Sequence, residues 1–319
     1  MREKEINLGY IQITRKCNNY CAICSNPPLD KELSFKEIKN QINSYLKKGI
    51  NTIILTGGEP TLSPLLIPSI QYCKKIKIDI RIITNGRRLK DKRLCKELRK
   101  SGLSKLNISF NSHINSIFEK ITRTNGSYEE TLEGIKNSLL YIGVPSINLV
   151  ITSLNYTTLP ETVQFVDKNY SQINHFSINF IDPTGRALKH KSVVPSYSEA
   201  ELGINKLLTT LSSLKKTFRL ERVPLCYMRN FECYSTETIR AITKQESSVF
   251  FLDERKFKSI NFRSMEHEYR KKEGCDYCAV KDICVGVNKN YIKLYNQDEI
   301  YPFFGNKTRL GIIKEVINL

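Results

Sequence analysis

The first residues in this sequence that could do chemistry are three cysteines in the segment TRKCNNYCAICSNPP. Cys17, Cys21 and Cys24 have the spacing C-x3-C-x2-C. In a chain of this cysteine content, a given triplet of fixed spacing arises by chance in roughly one case in a hundred, so the spacing is informative. Three thiolates can hold a [4Fe-4S] cluster and leave one iron open to a small molecule. The alternative is a zinc site, but zinc needs a fourth nitrogen or sulfur ligand nearby and the next histidine is His113.

A second group of cysteines lies near the C-terminus, in GCDYCAVKDICVGV. Cys275, Cys278 and Cys284 have the spacing C-x2-C-x5-C, which could place three thiolates on one metal cluster. Taken alone, this group with a fourth cysteine would also fit a zinc ribbon. Cys226 and Cys233 lie upstream as candidate fourth ligands. The two remaining cysteines, Cys73 and Cys95, fall in helical patterns and are interpreted as small buried side chains.

Strands alternating with helices must position these residues. Six β-branched runs predict strands, at 6–14, 51–57, 76–84, 105–110, 145–152 and 175–181. Capping boxes predict the starts of three helices, by the pairs Ser34 and Glu37, Ser127 and Glu130, and Ser196 and Glu199. Alternation of this kind implies parallel βαβ units, either as a partial barrel or as an open doubly wound sheet. The first cysteine group falls on the loop after strand one, where such folds carry their chemistry.

The pattern changes after the helical stretch at 197–216. Residues 219–223 resemble a lone strand, aromatic residues become dense and the cysteines reappear. We therefore expect two domains, 1–216 and 217–319, with the second packed on the first.

The segment TGGEP (56–60) after strand two, together with C-x3-C-x2-C after strand one, resembles the radical S-adenosylmethionine (SAM) superfamily. The resemblance implies an α/β fold, a partial (β/α)6 TIM-like barrel. It also implies that Cys17, Cys21 and Cys24 bind a [4Fe-4S] cluster whose open iron is chelated by SAM. Reductive cleavage of SAM would then give a 5'-deoxyadenosyl radical that abstracts a substrate hydrogen.

The same resemblance implies a set of SAM-binding residues. The TGGEP backbone would bind the methionine amino group, because glycines allow close approach and proline fixes the turn. Asn111 stands where the family commonly has Asp, and its amide still offers an acceptor for the ribose. Arg123 is either a partner of the SAM carboxylate or a solvated surface arginine. The complete set is Gly57, Gly58, Glu59, Pro60, Asn85 in ITNGR, Ser109 and Asn111 in ISFNS, and Arg123.

The second cysteine group resembles the SPASM and twitch auxiliary-cluster domains. A full SPASM domain would have a further cysteine where Asn288 stands, so we expect a twitch-like domain with one auxiliary [4Fe-4S] cluster. Cys226, in VPLC, resembles the upstream ligand of such domains, and Cys233 is the alternative. A spare Cys233 would be a hydrogen-atom donor or a buried thiol. The expected cofactors are thus SAM and two [4Fe-4S] clusters.

Composition restricts the partners less than the cysteines do. The chain has 319 residues, with 50 Lys and Arg against 32 Asp and Glu and a net charge of +18. This balance reflects either an acidic partner or a general composition bias. No secretory signal or membrane-length apolar run is present, so we expect a cytoplasmic protein without a membrane partner.

Three functional hypotheses follow. The leading one is an oxidoreductase that modifies a ribosomally made peptide, whose acidic leader would suit the basic charge. The second is radical oxidation or rearrangement of a small molecule such as a sugar, a nucleotide or a cofactor precursor. The third, from another class, is a zinc protein that binds nucleic acid, although we expect no nucleic-acid partner. The first two would need an external electron donor such as flavodoxin or ferredoxin, and their substrate-facing candidates are Asn148, Asn179 and Arg186.

Overall fold

The computed structural model describes residues 7–254, 256–304 and 308–318. Its strands are β1 (Leu8–Thr14), β2 (Thr52–Gly57), β3 (Asp79–Thr84), β4 (Lys105–Ser109), β5 (Ser146–Ile151), β6 (His175–Phe180), β7 (Thr217–Glu221), β8 (Ser247–Phe251), β9 (Lys256–Ile260), β10 (Tyr269–Arg270) and β11 (Val287–Asn288). Its helices are α1 (Phe35–Lys47), α2 (Leu66–Lys75), α3 (Lys92–Ser101), α4 (Asn115–Thr122), α5 (Ser127–Tyr141), α6 (Leu159–Asn169), α7 (Gly185–Lys189), α8 (Tyr197–Ser213), α9 (Thr236–Thr243), α10 (Phe262–Glu266), α11 (Lys289–Tyr295) and α12 (Thr308–Asn318). No helix among these residues is long and apolar enough to cross a membrane.

One curled sheet organises the molecule. Within the described residues it contains nine strands in the order β7-β6-β5-β4-β3-β2-β1-β8-β9. Every neighbouring pair is parallel except β8 and β9, which are antiparallel. This half-barrel confirms the expected α/β fold class and the partial TIM-like barrel, and the six predicted strands are β1 to β6 in sequence order.

Alternation along β3, β5 and β6 separates the helix-covered face from the hollow of the half-barrel. In these strands every second residue is buried, including Ile80, Leu149 and Phe176. The alternate residues, such as Asn148 and Asn179, line a cavity instead. Because side chains of a strand point to opposite faces in turn, apolar residues pack under the helices while polar ones face the hollow.

Two of the three predicted capping boxes are confirmed. The side chains of Ser34 and Ser196 each accept a hydrogen bond from the backbone N–H of the glutamate three residues on. The side chain of that glutamate accepts a hydrogen bond from the backbone N–H of the serine. The third is wrong, because Gly126 caps α5 and makes no side-chain bond. Ser127 is instead 2.7 Å from the Thr122 hydroxyl, and Glu130 accepts from Arg87.

The chain beyond residue 217 joins the same sheet. The strand expected at 219–223 is present as β7 (Thr217–Glu221), but the expectation that it stands alone is wrong, because it pairs in parallel with β6. The chain then returns to the other side of the sheet, where β8 pairs in parallel with β1. A small layer of β10, β11, α11 and α12 completes the C-terminal part. The division at 216/217 stays a prediction about which parts fold and act as units.

Candidate functional site

The first cysteine group lies on the loop that leaves β1. Backbone hydrogen bonds hold this loop against the end of α4, from Tyr20 N to Thr122 O at 3.0 Å and from Ala22 N to Ile121 O at 2.8 Å. Cys17, Cys21 and Cys24 are all half-buried and carry no disulfide. Because β1 is parallel to its neighbours, the loop lies at the carboxyl edge of the sheet.

Burial raises the pKa of Cys17 to about 11 and the pKa of Cys21 to about 12. Neighbouring thiolates add to both shifts, Cys24 acting on each of the other two, so the three sulfurs lie close enough to interact. Such thiols ionise when a metal compensates their charge. The three sulfur donors therefore fit a cluster held by three thiolates.

Neither cysteine group is arranged as a single-ion site. Within the described parts of the chain, no three His, Cys, Asp or Glu side chains meet closely enough to bind one metal ion, as a mononuclear zinc site would require.

The glycines of TGGEP lie directly against the base of the cysteine loop. Gly58 N donates to Thr14 O at 2.7 Å, and Glu59 N donates to Lys16 O at 2.7 Å. A Cβ at Gly57 would overlap the Thr14 carbonyl, and one at Gly58 would overlap the Lys16 carbonyl. Glycine is needed here because the two backbones touch.

Glu59 ties this turn to the end of β3. Its side chain is 1% exposed. Oε1 accepts from the Thr61 hydroxyl at 2.6 Å and from the Thr84 hydroxyl at 2.7 Å, and Oε2 accepts from Asn85 N at 2.7 Å. Burial raises the pKa of Glu59. The carboxylate is therefore a positioning group, since both of its oxygens accept hydrogen bonds from within the protein.

The other expected SAM-binding residues lie around the same edge of the sheet. Asn85 Nδ2 donates to Asn18 Oδ1 at 2.7 Å and lies 4.0 Å from Cys17 Sγ. Ser109 is half-buried at the end of β4. Asn111 is buried, and its Oδ1 accepts from Val150 N at 2.8 Å, which occupies one of the two lone pairs of this oxygen.

Arg123 is exposed at the end of α4. It has a positive φ of 53°, and its guanidinium is 2.9 Å from His190 Nε2. It directly follows Thr122, whose carbonyl accepts from the cysteine loop. The structure thus places Arg123 beside the loop but on its solvent side.

Arg186 holds the cysteine loop from the opposite side, which the sequence alone did not indicate. Its backbone N donates to Cys24 O at 2.9 Å and its guanidinium donates to Cys21 O at 3.4 Å. The same guanidinium lies 3.9 Å from the centroid of the Tyr20 ring. Of the three substrate-facing candidates, only Asn148 and Asn179 line the cavity, where their amides are 3.0 Å apart. In the sequence, Arg186 was marked only by its position after Gly185, shortly after the sixth predicted strand, and this position did not indicate a contact with the cysteine loop.

The second cysteine group comes together at the C-terminal part. Cys226 is buried in the turn Leu225–Tyr227, and burial, with the thiolates of Cys284 and Cys275 adding, raises its pKa to about 12. Cys278 likewise raises the pKa of both Cys275 and Cys284, after burial. Cys233 instead lies on the wall of the cavity. Cys226, Cys275, Cys278 and Cys284 thus lie close enough to influence one another electrostatically.

A cavity of about 1480 Å³ fills the hollow of the half-barrel. Its strand wall is polar, with Asn107, Asn148, Ser177 and Asn179. Cationic residues face the same space from the strands, namely Arg81, Lys105 and Arg219. The volume exceeds that of an ordinary small-ligand pocket, so a charged molecule of nucleotide size fits.

The first half of the chain is similar in sequence to known proteins. The sequence model of the Radical SAM superfamily matches residues 11–166. A probable GTP 3',8-cyclase of Thermococcus kodakarensis is 32% identical over 163 residues, 50% of this chain and 52% of the relative. A GTP 3',8-cyclase of Limosilactobacillus fermentum is 30% identical over 190 residues, 56% of this chain and 55% of the relative. The alignments thus span about half the length of these curated relatives.

The fold is also that of SuiB from Streptococcus suis, solved with S-adenosylmethionine. The TM-score is 0.65 at 16% identity, covering 90% of this chain and 74% of that chain. At this identity the likeness concerns the fold alone.

These findings correct the leading functional hypothesis. The expectation of a peptide substrate is wrong, because the curated relatives are named for cyclising a nucleotide. The small-molecule alternative is favoured instead, and the zinc-protein alternative gains no support. By the match to the superfamily model, residues 11–166 form a radical SAM domain.

Proposed function

We propose that this protein is a radical SAM enzyme that rearranges a nucleotide, with GTP as the first candidate substrate. The observation that carries this proposal is the similarity to GTP 3',8-cyclases, at 30–32% identity over about half of the chain. The polar and cationic cavity supports it, because phosphate groups bind Arg and Lys side chains.

The cofactor site follows from the three cysteines and the TGGEP turn. With SAM and a [4Fe-4S] cluster bound, the site would supply a 5'-deoxyadenosyl radical able to abstract a substrate hydrogen. Cys17, Cys21 and Cys24 would hold the cluster. The backbone of Gly57–Pro60 would hold SAM, with Asn85, Ser109, Asn111 and Arg123 as further proposed contacts.

The chain's own task is to position the substrate and exclude water. The cavity in the half-barrel reaches the carboxyl ends of β6 and β7, where Asp182, Glu221 and Arg222 line it. Asn148 and Asn179 can hydrogen-bond a sugar or base, and Lys105 and Arg219 can bind phosphates. Enclosure of the reacting groups protects a radical from side reactions.

We further propose a twitch-like auxiliary site in the region 217–319. Cys226, Cys275, Cys278 and Cys284 would bind a second [4Fe-4S] cluster, and their mutual electrostatic influence supports this set. Cys233 is left on the cavity wall, where it is a candidate hydrogen-atom donor. An external electron donor such as flavodoxin or ferredoxin would reduce the first cluster.

The test is anaerobic reconstitution followed by incubation with SAM, a reductant and GTP. We expect about eight irons per chain, and GTP-dependent formation of 5'-deoxyadenosine with a new nucleotide product by mass spectrometry. Parallel incubations with ATP, CTP and UTP define the base preference. A reconstituted enzyme that cleaves SAM equally with and without every nucleotide, and leaves each nucleotide unchanged, would contradict the proposal.

A further inference from the structure

Three arginines bond to the cysteine loop, and they differ in how the protein compensates their charge. Arg15, at the start of the loop, forms an ion pair with Asp253. Arg87, which also bonds the loop, pairs with Glu130 at 2.6 Å. Arg186 has no carboxylate within 4 Å in the parts of the chain that the structure describes. Of these three arginines, Arg186 therefore brings a charge to the loop that no ion pair neutralises.

The backbone of Arg186 is fixed directly against the third cysteine. Its N–H donates to Cys24 O at 2.9 Å. The preceding residue, Gly185, has a positive φ of 57°, and a Cβ there would overlap the carbonyls of Cys24 and Ser25. Glycine permits this approach because it has no Cβ. The chain after β6 therefore touches the loop, and the start of the Arg186 side chain has a defined position beside it.

The guanidinium group of Arg186 is held between a ring and a carbonyl. It lies 3.9 Å from the centroid of the Tyr20 ring and donates to Cys21 O at 3.4 Å. A cation over an aromatic face is attracted by the electron density of the ring. Tyr20 is itself fixed, because its N–H donates to Thr122 O at 3.0 Å. The charge thus has a defined position beside the backbone of two of the three expected cluster ligands.

This charge also reaches the sulfur atoms. Burial raises the pKa of the Cys21 and Cys24 thiols, and the positive charge of Arg186 opposes that rise in both. A cation that favours thiolates also favours any other negative charge at the same place. One-electron reduction makes a cluster held by three thiolates more negative by one charge. The net charge and the hydrogen bonds around such a cluster set its reduction potential.

We propose that Arg186, held by the Tyr20 ring, is a positioning residue that raises the reduction potential of the cluster at Cys17, Cys21 and Cys24. This inference rests on the proposed cofactor site and adds the residue that controls how readily that site accepts an electron. The external donor loses one electron and the cluster gains it, while no bond of Arg186 forms or breaks. The guanidinium keeps its proton throughout, as arginine does in proteins.

The experiment is a redox titration of the reconstituted protein without nucleotide, followed by electron paramagnetic resonance. Addition of SAM identifies the signal of the first cluster, because SAM binds its open iron. Arg186→Gln should lower the equilibrium constant for reduction about tenfold, a shift of about 59 mV to a more negative potential. Arg186→Lys keeps the charge and should keep the wild-type potential. Arg93→Gln is the matched control, because it removes the same charge from a side chain that is 94% exposed.

Each outcome decides the inference. If Arg186→Gln keeps its iron and the wild-type potential, the inference is wrong, although SAM cleavage with nucleotide turnover would leave the proposed function standing. An equal shift in Arg93→Gln or in Arg186→Lys would also contradict it, because the charge at this position would then not be the cause. If no cluster signal of the wild type responds to SAM, the proposed function and the inference fail together.

A loss of iron in Arg186→Gln would make its potential unmeasurable, and Tyr20→Leu then decides. The Tyr20 side chain is 61% exposed, so its replacement leaves the core intact. Without the ring, the guanidinium can move into solvent, and the potential should shift in the same negative direction. An unchanged potential in Tyr20→Leu would contradict the inference.

Discussion

At the scale of single residues, the cysteine loop is held by groups that the sequence motif does not include. Arg186 bonds the carbonyls of Cys21 and Cys24, and Arg87 donates to Asn19 Oδ1 at 2.9 Å. The three thiols themselves could be predicted from spacing. Their supports could not, because residues 87 and 186 reach the loop only after the sheet has formed.

The first prediction concerns Cys21. Replacing it with alanine should abolish 5'-deoxyadenosine formation and remove about four irons per chain, because two remaining thiolates hold a cluster poorly. Iron analysis and chromatography of the SAM products measure both effects. Cys73→Ala is the control, since Cys73 is fully buried in α2. This variant should keep the iron content of the wild type. Wild-type iron and activity in Cys21→Ala would show that this loop is not the cofactor site.

A second prediction concerns pH and His175. Burial, with the charges of Arg219 and Lys105 adding, lowers the pKa of His175 to about 4. The unfolded chain has a histidine pKa of about 6.5, so the folded state binds fewer protons between these values. The stability contributed by neutral His175 is complete above the unfolded value and is lost as pH falls towards the folded one.

Urea unfolding at pH 7 and pH 5 measures this effect. Lowering the pH from 7 to 5 should reduce the free energy of unfolding by about 1 kcal/mol through His175, allowing for solvent screening. His175→Gln keeps a polar side chain that can bond Thr217, which is 2.9 Å from His175 Nδ1. That variant should lose less stability between the two pH values, and an identical loss in both proteins would refute the assignment.

At the scale of helices and strands, a sequence motif was sufficient to predict a helix start where all hydrogen bonds of the motif lie within one helix terminus. The boxes at Ser34 and Ser196 need only their own helix, so the sequence predicted them. The box at Ser127 failed because tertiary partners were stronger: Glu130 pairs with Arg87, and the Ser127 hydroxyl meets Thr122. The sequence motif makes a capping box possible, and the packing of the helix against its neighbours decides whether the capping box forms.

The junction of β2 with the cysteine loop gives a third prediction. Gly58→Ala should disrupt the cofactor site, because the new Cβ would overlap the Lys16 carbonyl and push the loop away. We expect a loss of most deoxyadenosine formation and about 2 kcal/mol of stability. Gly311→Ala in α12 is the matched control, since nothing lies within 4 Å of its Cβ position. Thermal unfolding and SAM-cleavage assays distinguish the two variants, and equal behaviour would contradict this role of the turn.

At the scale of the whole molecule, local patterns predicted parallel βαβ units and the family resemblance implied the half-barrel, but neither predicted how the C-terminal part continues the sheet. Strands β1 to β6 follow from local alternation. The pairing of β8 with β1 joins Leu8 to Ser247, and no local pattern encodes so distant a partner. The sequence also did not show that Asp182, Arg222 and Glu237 line one cavity, because these residues come from three separate segments.

The two cysteine groups give a prediction at this scale. Cys275→Ala should lower the iron content from about eight to about four per chain while SAM cleavage at the first site persists. Cys233→Ala should keep the wild-type iron content, because Cys233 lies on the cavity wall and the proposed ligands are Cys226, Cys275, Cys278 and Cys284. Iron loss in Cys233→Ala with full iron in Cys226→Ala would reverse the assignment of the fourth ligand.

The pairing of β8 with β1 also has a consequence for folding on the ribosome. One edge of β1 can pair with β2 early, but its other edge must wait until residues 247–250 have been synthesised. Because contacts so distant in sequence are slow to form, the nascent chain presents an unpaired, largely apolar strand edge for most of its synthesis. Such an edge invites pairing with other chains, so chaperone supply should limit the yield of this protein more than its final stability does.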